Sequence, residues 1–167
     1  MAAEERKQVL RRRAKIYEEK YLKSVKPFVG VREVFLELSR TGSRIALTTA
    51  CKGPELKHCR SLLNVDDLIH SIACGDHVEH GKPDPRLIGH ALGKLGVPAG
   101  EAVMIGDTPY DAEAALGAGV SAAGLVTGGF SRKHLADAGC AVVAKDLHDL
   151  LASLKGDPSR LAVAAAG

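Results

Sequence analysis

The chain has no tryptophan and only three phenylalanines and three tyrosines, so aromatic content is low for a nucleic-acid-binding module. Uninterrupted apolar runs never approach the roughly 18 residues that a spanning helix requires. The opening Met1-Ala2-Ala3-Glu4-Glu5-Arg6-Lys7 has no apolar run behind it to make a signal peptide. Membrane and secreted classes are therefore disfavoured. Paired C-x-x-C spacing is also lacking. Cys51, Cys59, Cys74 and Cys140 are scattered, which argues against a zinc ribbon or a disulfide scaffold and fits a reducing cytoplasm.

What is present suits one soluble globular domain: 167 residues, 46% hydrophobic and 26% charged. The formal charge of +3 is uneven, because residues 1–26 hold nine Lys/Arg against four Glu, and the remainder holds fourteen bases against sixteen acids. Arg11-Arg12-Arg13 could meet nucleic-acid phosphates, but in a chain with a mildly acidic body a solvated helix face is the favoured reading.

Val9, Leu10, Ala14, Ile16, Tyr17, Tyr21 and Leu22 recur at helical spacing, which predicts an amphipathic helix from Glu4 to about Val25, ended by Pro27. A second helix follows Gly30 and stops near Thr41-Gly42. The period then changes: Arg44 to Thr49 is a short apolar run of the kind found in buried parallel strands. Helix and strand alternate from there. Helices are predicted at 54–63, 85–95, 110–116, 131–138 and 147–154, and strands at 69–75, 102–106, 120–126 and 141–143. Such alternation implies right-handed crossovers and a parallel sheet with helices on both faces. Residues 156–167, with Gly156-Asp157-Pro158 and an alanine-rich end, are expected to be a frayed tail.

In a sheet of this kind ligands sit at the carboxyl ends of the strands. The polar residues ending each apolar run are therefore the candidates: Thr48-Thr49, Gly81-Lys82-Pro83-Asp84-Pro85, Gly106-Asp107-Thr108-Pro109-Tyr110-Asp111 and Thr127-Gly128-Gly129. Asp107 follows an apolar strand beside a glycine that would let a ligand approach the backbone, and Asp111 falls in the first turn of the next helix. Two carboxylates so placed can face one Mg²⁺, a hard cation that takes oxygen ligands. Helix capping by Asp107 and Thr108 is the alternative reading of the same residues. Lys82 precedes a proline that biases it to extended backbone, where its ammonium could neutralise phosphoryl charge. A hydroxyl such as that of Thr49 can donate to a phosphoryl oxygen, although threonines ending strands more often serve the backbone.

Taken together, a threonine after one strand, Lys-Pro two elements later and an apolar strand ending in Gly-Asp-Thr-x-x-Asp are far more specific. From about Lys26 to Leu154 the chain resembles the haloacid dehalogenase-like hydrolases, especially the phosphoglycolate phosphatase and phosphoglucomutase-like group. The resemblance implies a Rossmann-like, doubly wound α/β core. It implies that Thr49 and Lys82 bind the phosphoryl group of a small phosphorylated metabolite, and that Asp107 ligates Mg²⁺ with Asp111 as supporting carboxylate. Ala50 stands where Asn or Ser is common in the family.

The family's nucleophile is an aspartate in an Asp-x-Asp motif after a central first strand, and it attacks phosphorus to form an aspartyl-phosphate. No residue here maps to it, since the earliest aspartate is Asp66. By this resemblance residues 1–26 are the remnant of a helical cap, 27–155 the core, and the first central strand, between the Thr49 and Asp107 strands, is lacking. The expectation is a phosphatase-type chain that is inactive by itself, truncated or completed by a partner chain that supplies the strand. A non-catalytic remnant with a weak phosphate or Mg²⁺ site is the alternative, and a nucleic-acid module resting on the basic N-terminal helix ranks third.

Overall fold

The computed structural model describes residues 3–78 and 80–156. The expected tail falls outside these residues except for Gly156, which ends the last helix. The chain starts with helix α1 (Ala3–Lys20), on which Arg11, Arg12 and Arg13 are solvent-exposed. The helix stops earlier than the periodicity suggests. A single 3₁₀ turn, Leu22–Ser24, follows and buries Leu22.

The strict alternation then begins with α2 (Val31–Arg40), β1 (Ala46–Thr49), α3 (Gly53–Leu63), β2 (Ser71–Cys74) and α4 (Arg86–Leu95). It continues with β3 (Val103–Gly106), α5 (Pro109–Gly117), β4 (Ser121–Leu125), α6 (Arg132–Asp137), β5 (Cys140–Ala144) and α7 (Leu147–Gly156). Every strand pair is parallel: β1 with β2, β3 with β4, and β4 with β5.

Side chains alternate across the three-stranded sheet as its pleat requires. Val34 of α2 and Leu150 of α7 are buried against Ala123, Leu125 and Ala144 on one face. On the other, Ile88, Ala112, Ala115 and Leu135, from α4, α5 and α6, enclose Ala122 and Cys140. β4 is buried along its whole length and is built from Ser, Ala, Ala, Gly and Leu. Small residues let helices close on it from both sides. A Cβ at Gly124 would lie 3.1 Å from Cys140 Sγ and 3.2 Å from Leu135.

Among the described residues the strands form two sheets, β1-β2 and β3-β4-β5. The break falls between β1 and β3, where the resemblance puts a further strand. Across it the Thr48 hydroxyl approaches Met104 Sδ at 3.7 Å, and all residues of both flanking strands are only half-buried. Helix α4 bridges the two sheets. Leu87 and Ala91, one turn apart, pack with Ala46 and Ala73, while the adjacent column Ile88 and Leu92 joins the core around β4.

Candidate phosphate and metal site at the carboxyl ends of the strands

Asp107 and Asp111 owe their positions to the turn that carries β3 into α5. Thr108 is the N-cap residue of α5, and Pro109 follows at the first helical position, where a missing N–H does no harm. The cap is reciprocal. Thr108 Oγ1 accepts from Asp111 N at 3.3 Å, while Asp111 Oδ2 accepts from Thr108 N at 3.0 Å, Thr108 Oγ1 at 2.8 Å and Asp107 N at 3.2 Å. The capping reading of the sequence thus holds for Thr108, with Asp111 rather than Asp107 as its partner.

Asp111 Oδ1 receives the Lys82 ammonium at 2.5 Å, in an ion pair whose side chains are 19% and 7% exposed. Lys82 comes from the loop after β2, and its peptide with Pro83 is cis. This contact brings the carboxyl ends of β2 and β3 together, so the two sheets face the same way. The space beside Gly106 is filled by Asp111 rather than left to a ligand, since a Cβ there would lie 2.3 Å from Asp111 Cβ.

The two carboxylates are electrostatically distinct. Burial pushes Asp111 up, but the Lys82 ammonium and the Thr108 donors overcome it and hold this carboxyl below its ordinary range. Burial, and then the like charge of Asp111, push Asp107 above the ordinary range, and its own backbone N–H, Lys82 and the Thr127 side chain only partly offset this. Asp107 is therefore a half-buried carboxylate with an excess of negative charge around it. A hard divalent cation fits that environment, because it relieves the repulsion and needs only one or two protein carboxylates beside its waters.

Thr49, the fourth residue singled out by the sequence, ends β1 at the same edge but across the break, and exchanges no hydrogen bond with the Lys82–Asp111 pair. Its Oγ1 accepts from Cys51 N at 3.1 Å. The neighbouring Cys51 thiol donates to Glu55 at 3.4 Å, and burial raises its pKa, so it is no activated nucleophile. Cys74 Sγ lies 3.4 Å from His77 Nδ1, but that nitrogen already accepts from Cys74 N–H at 2.9 Å. Beyond the end of β4, Gly128 runs against Asp107, where a Cβ would lie 2.2 Å from the Asp107 carbonyl oxygen and 2.8 Å from its Cγ. The rule that strand ends carry ligands marks its segment, yet its contact depends on β3 and β4 being neighbours. No helix among the described residues is long and apolar enough to cross a membrane.

A parallel α/β core that gathers a lysine and two carboxylates at its strand ends is the arrangement to set beside known proteins. The family model for haloacid dehalogenase-like hydrolases matches residues 1–125, and the chain belongs to this family. It is 30% identical to pyrophosphatase PpaX of Bacillus velezensis over 107 residues, 64% of this chain and 50% of that protein. It is 33% identical to the phosphoglycolate phosphatase of Pectobacterium atrosepticum over 101 residues, 60% of this chain and 43% of that protein. The chain thus spans about half the length of the curated relatives it matches. Among solved structures, a hydrolase from Pseudomonas syringae superimposes with a TM-score of 0.85 at 28% identity, covering 94% of this chain and 71% of that one. CbbY from Rhodobacter sphaeroides, solved in complex with phosphate, gives 0.63 at 30% identity, covering 73% and 55%.

Proposed function

We propose that this chain is the phosphate- and Mg²⁺-binding part of a phosphatase acting on small phosphorylated metabolites. The observation that carries this is the Lys82 ammonium clamped at 2.5 Å to Asp111 beside the half-buried Asp107, whose carboxyl burial and then Asp111 push above its ordinary range, at the carboxyl edge of a parallel sheet. Lys82 and the Thr49 hydroxyl bind and orient the phosphoryl group. Asp107 holds Mg²⁺, which when bound supplies charge stabilisation for the phosphoryl oxygens. Both oxygens of Asp111 are engaged, so its supporting part is to fix Lys82 and the Asp107–Thr108 turn. In this reading residues 27–155 carry the site and residues 1–26 belong to a cap.

The 167 residues in isolation do not turn over phosphomonoesters. Asp107 faces the metal, Asp111 is tied to Lys82 and Thr108, and neither is free to attack phosphorus in line. A nucleophile enters with a strand that docks between β1 and β3, from another segment or a partner chain.

Calorimetric titration of the isolated chain tests the assignment. Mg²⁺ binding is expected to disappear in Asp107→Asn, phosphate binding in Lys82→Met, and p-nitrophenyl phosphate should remain intact throughout. Mg²⁺-dependent hydrolysis by the isolated chain that vanishes in Asp107→Asn would overturn the inactivity and mean that another residue serves as nucleophile.

A further inference from the structure

The loop that carries Lys82 is fastened at its start by a histidine to which the reading above gives no task. Cys74 closes β2, and both of its main-chain groups bond His77: His77 N–H donates to Cys74 O at 2.9 Å, and Cys74 N–H donates to His77 Nδ1 at 2.9 Å. The imidazole can accept that second bond only while Nδ1 keeps its lone pair. Its ring lies on that of His90 from α4, with centroids 4.6 Å apart and planes 23° from parallel. Val78, the next residue, packs with Ala73 of β2 and with Leu87 and Ala91 of α4. From this base the chain passes directly to the turn that holds Lys82, where Asp84 N–H donates to Gly81 O at 3.1 Å and the ammonium meets Asp111.

We infer that His77 is a positioning residue for Lys82: as a neutral imidazole it holds the phosphate-binding loop on β2 and α4, and its protonation loosens the loop and weakens phosphate binding. This inference rests on the reading of Lys82 as a phosphoryl-binding residue. Among the described residues the ring faces the Cys74 thiol of β2 at 3.4 Å and His90 of α4, with Lys94 one turn further along that helix. The nearby carboxylate is Asp76, whose Oδ2 lies 3.8 Å from Cys74 Sγ and which is paired with Lys52, the N-cap residue of α3, at 3.7 Å. Acid places a proton on Nδ1, which turns that atom from acceptor to donor and sets it against the Cys74 N–H. It also brings positive charge onto the face of His90, whose own charging is opposed by burial, then by Lys94 and His77. His90 Nε2 is buried without a hydrogen-bond partner among the described residues, so nothing there receives a further proton. His77 is solvent-exposed, and imidazoles change charge between about pH 5 and pH 8.

The test is calorimetric titration of the full chain with inorganic phosphate at pH 8 and pH 5.5. Variants are compared with the parent at the same pH, because phosphate itself takes up a proton over this range. His77→Asn puts an acceptor that does not titrate where Nδ1 stands. It should match the parent at pH 8 and bind about 3- to 10-fold more tightly than the parent at pH 5.5, the worth of one hydrogen bond. His77→Phe keeps a ring on His90 but offers no acceptor, and should bind about 3- to 10-fold more weakly than the parent at pH 8. In the parent at pH 8, the nitrogen-15 spectrum should show His77 protonated at Nε2 alone, a signature that needs no variant. Suppose Lys82→Met does not bind phosphate, yet His77→Asn follows the parent at both pH values, or His77→Phe equals the parent, or the spectrum shows a proton on Nδ1. The positioning role is then overturned and the Lys82 assignment survives. If Lys82→Met binds like the parent, or the parent binds no phosphate at pH 8, the assignment fails and the inference with it. Global unfolding of the parent at pH 5.5, seen by circular dichroism, would mean that acid acts on the whole fold and also overturns it.

Discussion

Asp111 is the residue on which the local geometry turns. It closes the α5 cap, fixes the Asp107–Thr108 backbone and anchors Lys82, all with one side chain packed over Gly106. Removing one partner of a buried ion pair leaves the other charge uncompensated, so Lys82→Met should cost about 3–5 kcal/mol in urea unfolding. The double variant Lys82→Met/Asp111→Asn should cost less than the two single changes added together, because neither charge is then stranded. Additive costs would mean that the two side chains do not act as a pair. A second carboxylate supports a pH prediction. Asp84 accepts from Arg86 N at 3.0 Å and pairs with the Arg86 guanidinium at 2.8 Å, which brings its pKa to about 2 from an ordinary 3.8. A depressed folded-state pKa stabilises above the unfolded value and the effect is lost as pH falls through 3.8 toward 2. Between pH 5 and pH 2.5 the parent's urea midpoint should therefore fall further than that of Asp84→Asn, and equal falls would remove Asp84 from the account. The motif Gly-Asp-Thr-x-x-Asp makes Asp107 and Asp111 visible in the sequence, but not their division of labour. That division depends on Lys82, 29 positions before Asp111 in the chain, reaching across from the β2 loop.

At the scale of elements, the change from helical period to short apolar run marks all five strands and seven helices of the described residues, with ends that shift by a few residues. The largest shift is in α1, which stops at Lys20 rather than about Val25. Its apolar positions Val9 and Ile16 are largely exposed, so packing contributes little to extending the helix, and Leu22 is buried instead by a 3₁₀ turn. Strand neighbours are what periodicity does not encode. The order β3-β4-β5, and with it the meeting of Gly128 and Asp107, comes from crossovers and from the small side chains of β4 that admit helices on both sides. Helix α4 has the corresponding role between the sheets. Leu87 is 1% exposed and faces the β1-β2 pair, whereas Ile88 is 3% exposed and faces the core around β4. Leu87→Ala should cost about 2–5 kcal/mol. Hydrogen exchange should locate that loss by accelerating β1 and β2 amides more than those of β4, and uniform acceleration would mean that the two sheets unfold as one unit.

For the molecule as a whole, the break between β1 and β3 is the feature with the greatest consequence. Each flanking strand has one edge without a backbone partner among the described residues, and each is half-buried where β4 is wholly buried. Unpaired edges favour strand addition, and a segment entering parallel to both neighbours would satisfy two rows of backbone groups at once. It should be apolar on both faces, as parallel strands covered by helices are, since α4 packs against both sheets and α2 against β3. A synthetic peptide with such a strand ending in Asp-x-Asp should therefore bind the isolated chain and raise its Tm. At 100-fold excess over Kd the gain is about 2.7 kcal/mol, or roughly 5–10 °C for a domain of this size. Amide exchange should slow in Ala46–Thr49 and Val103–Gly106 before any other strand. If hydrolysis of p-nitrophenyl phosphate appears with the peptide, it should need Mg²⁺, Lys82 and Asp107, because the peptide contributes the nucleophile and this chain contributes the charges around it. A peptide that shifts neither Tm nor exchange in a folded chain would rule out completion by strand addition and favour a chain that retains the site without the reaction.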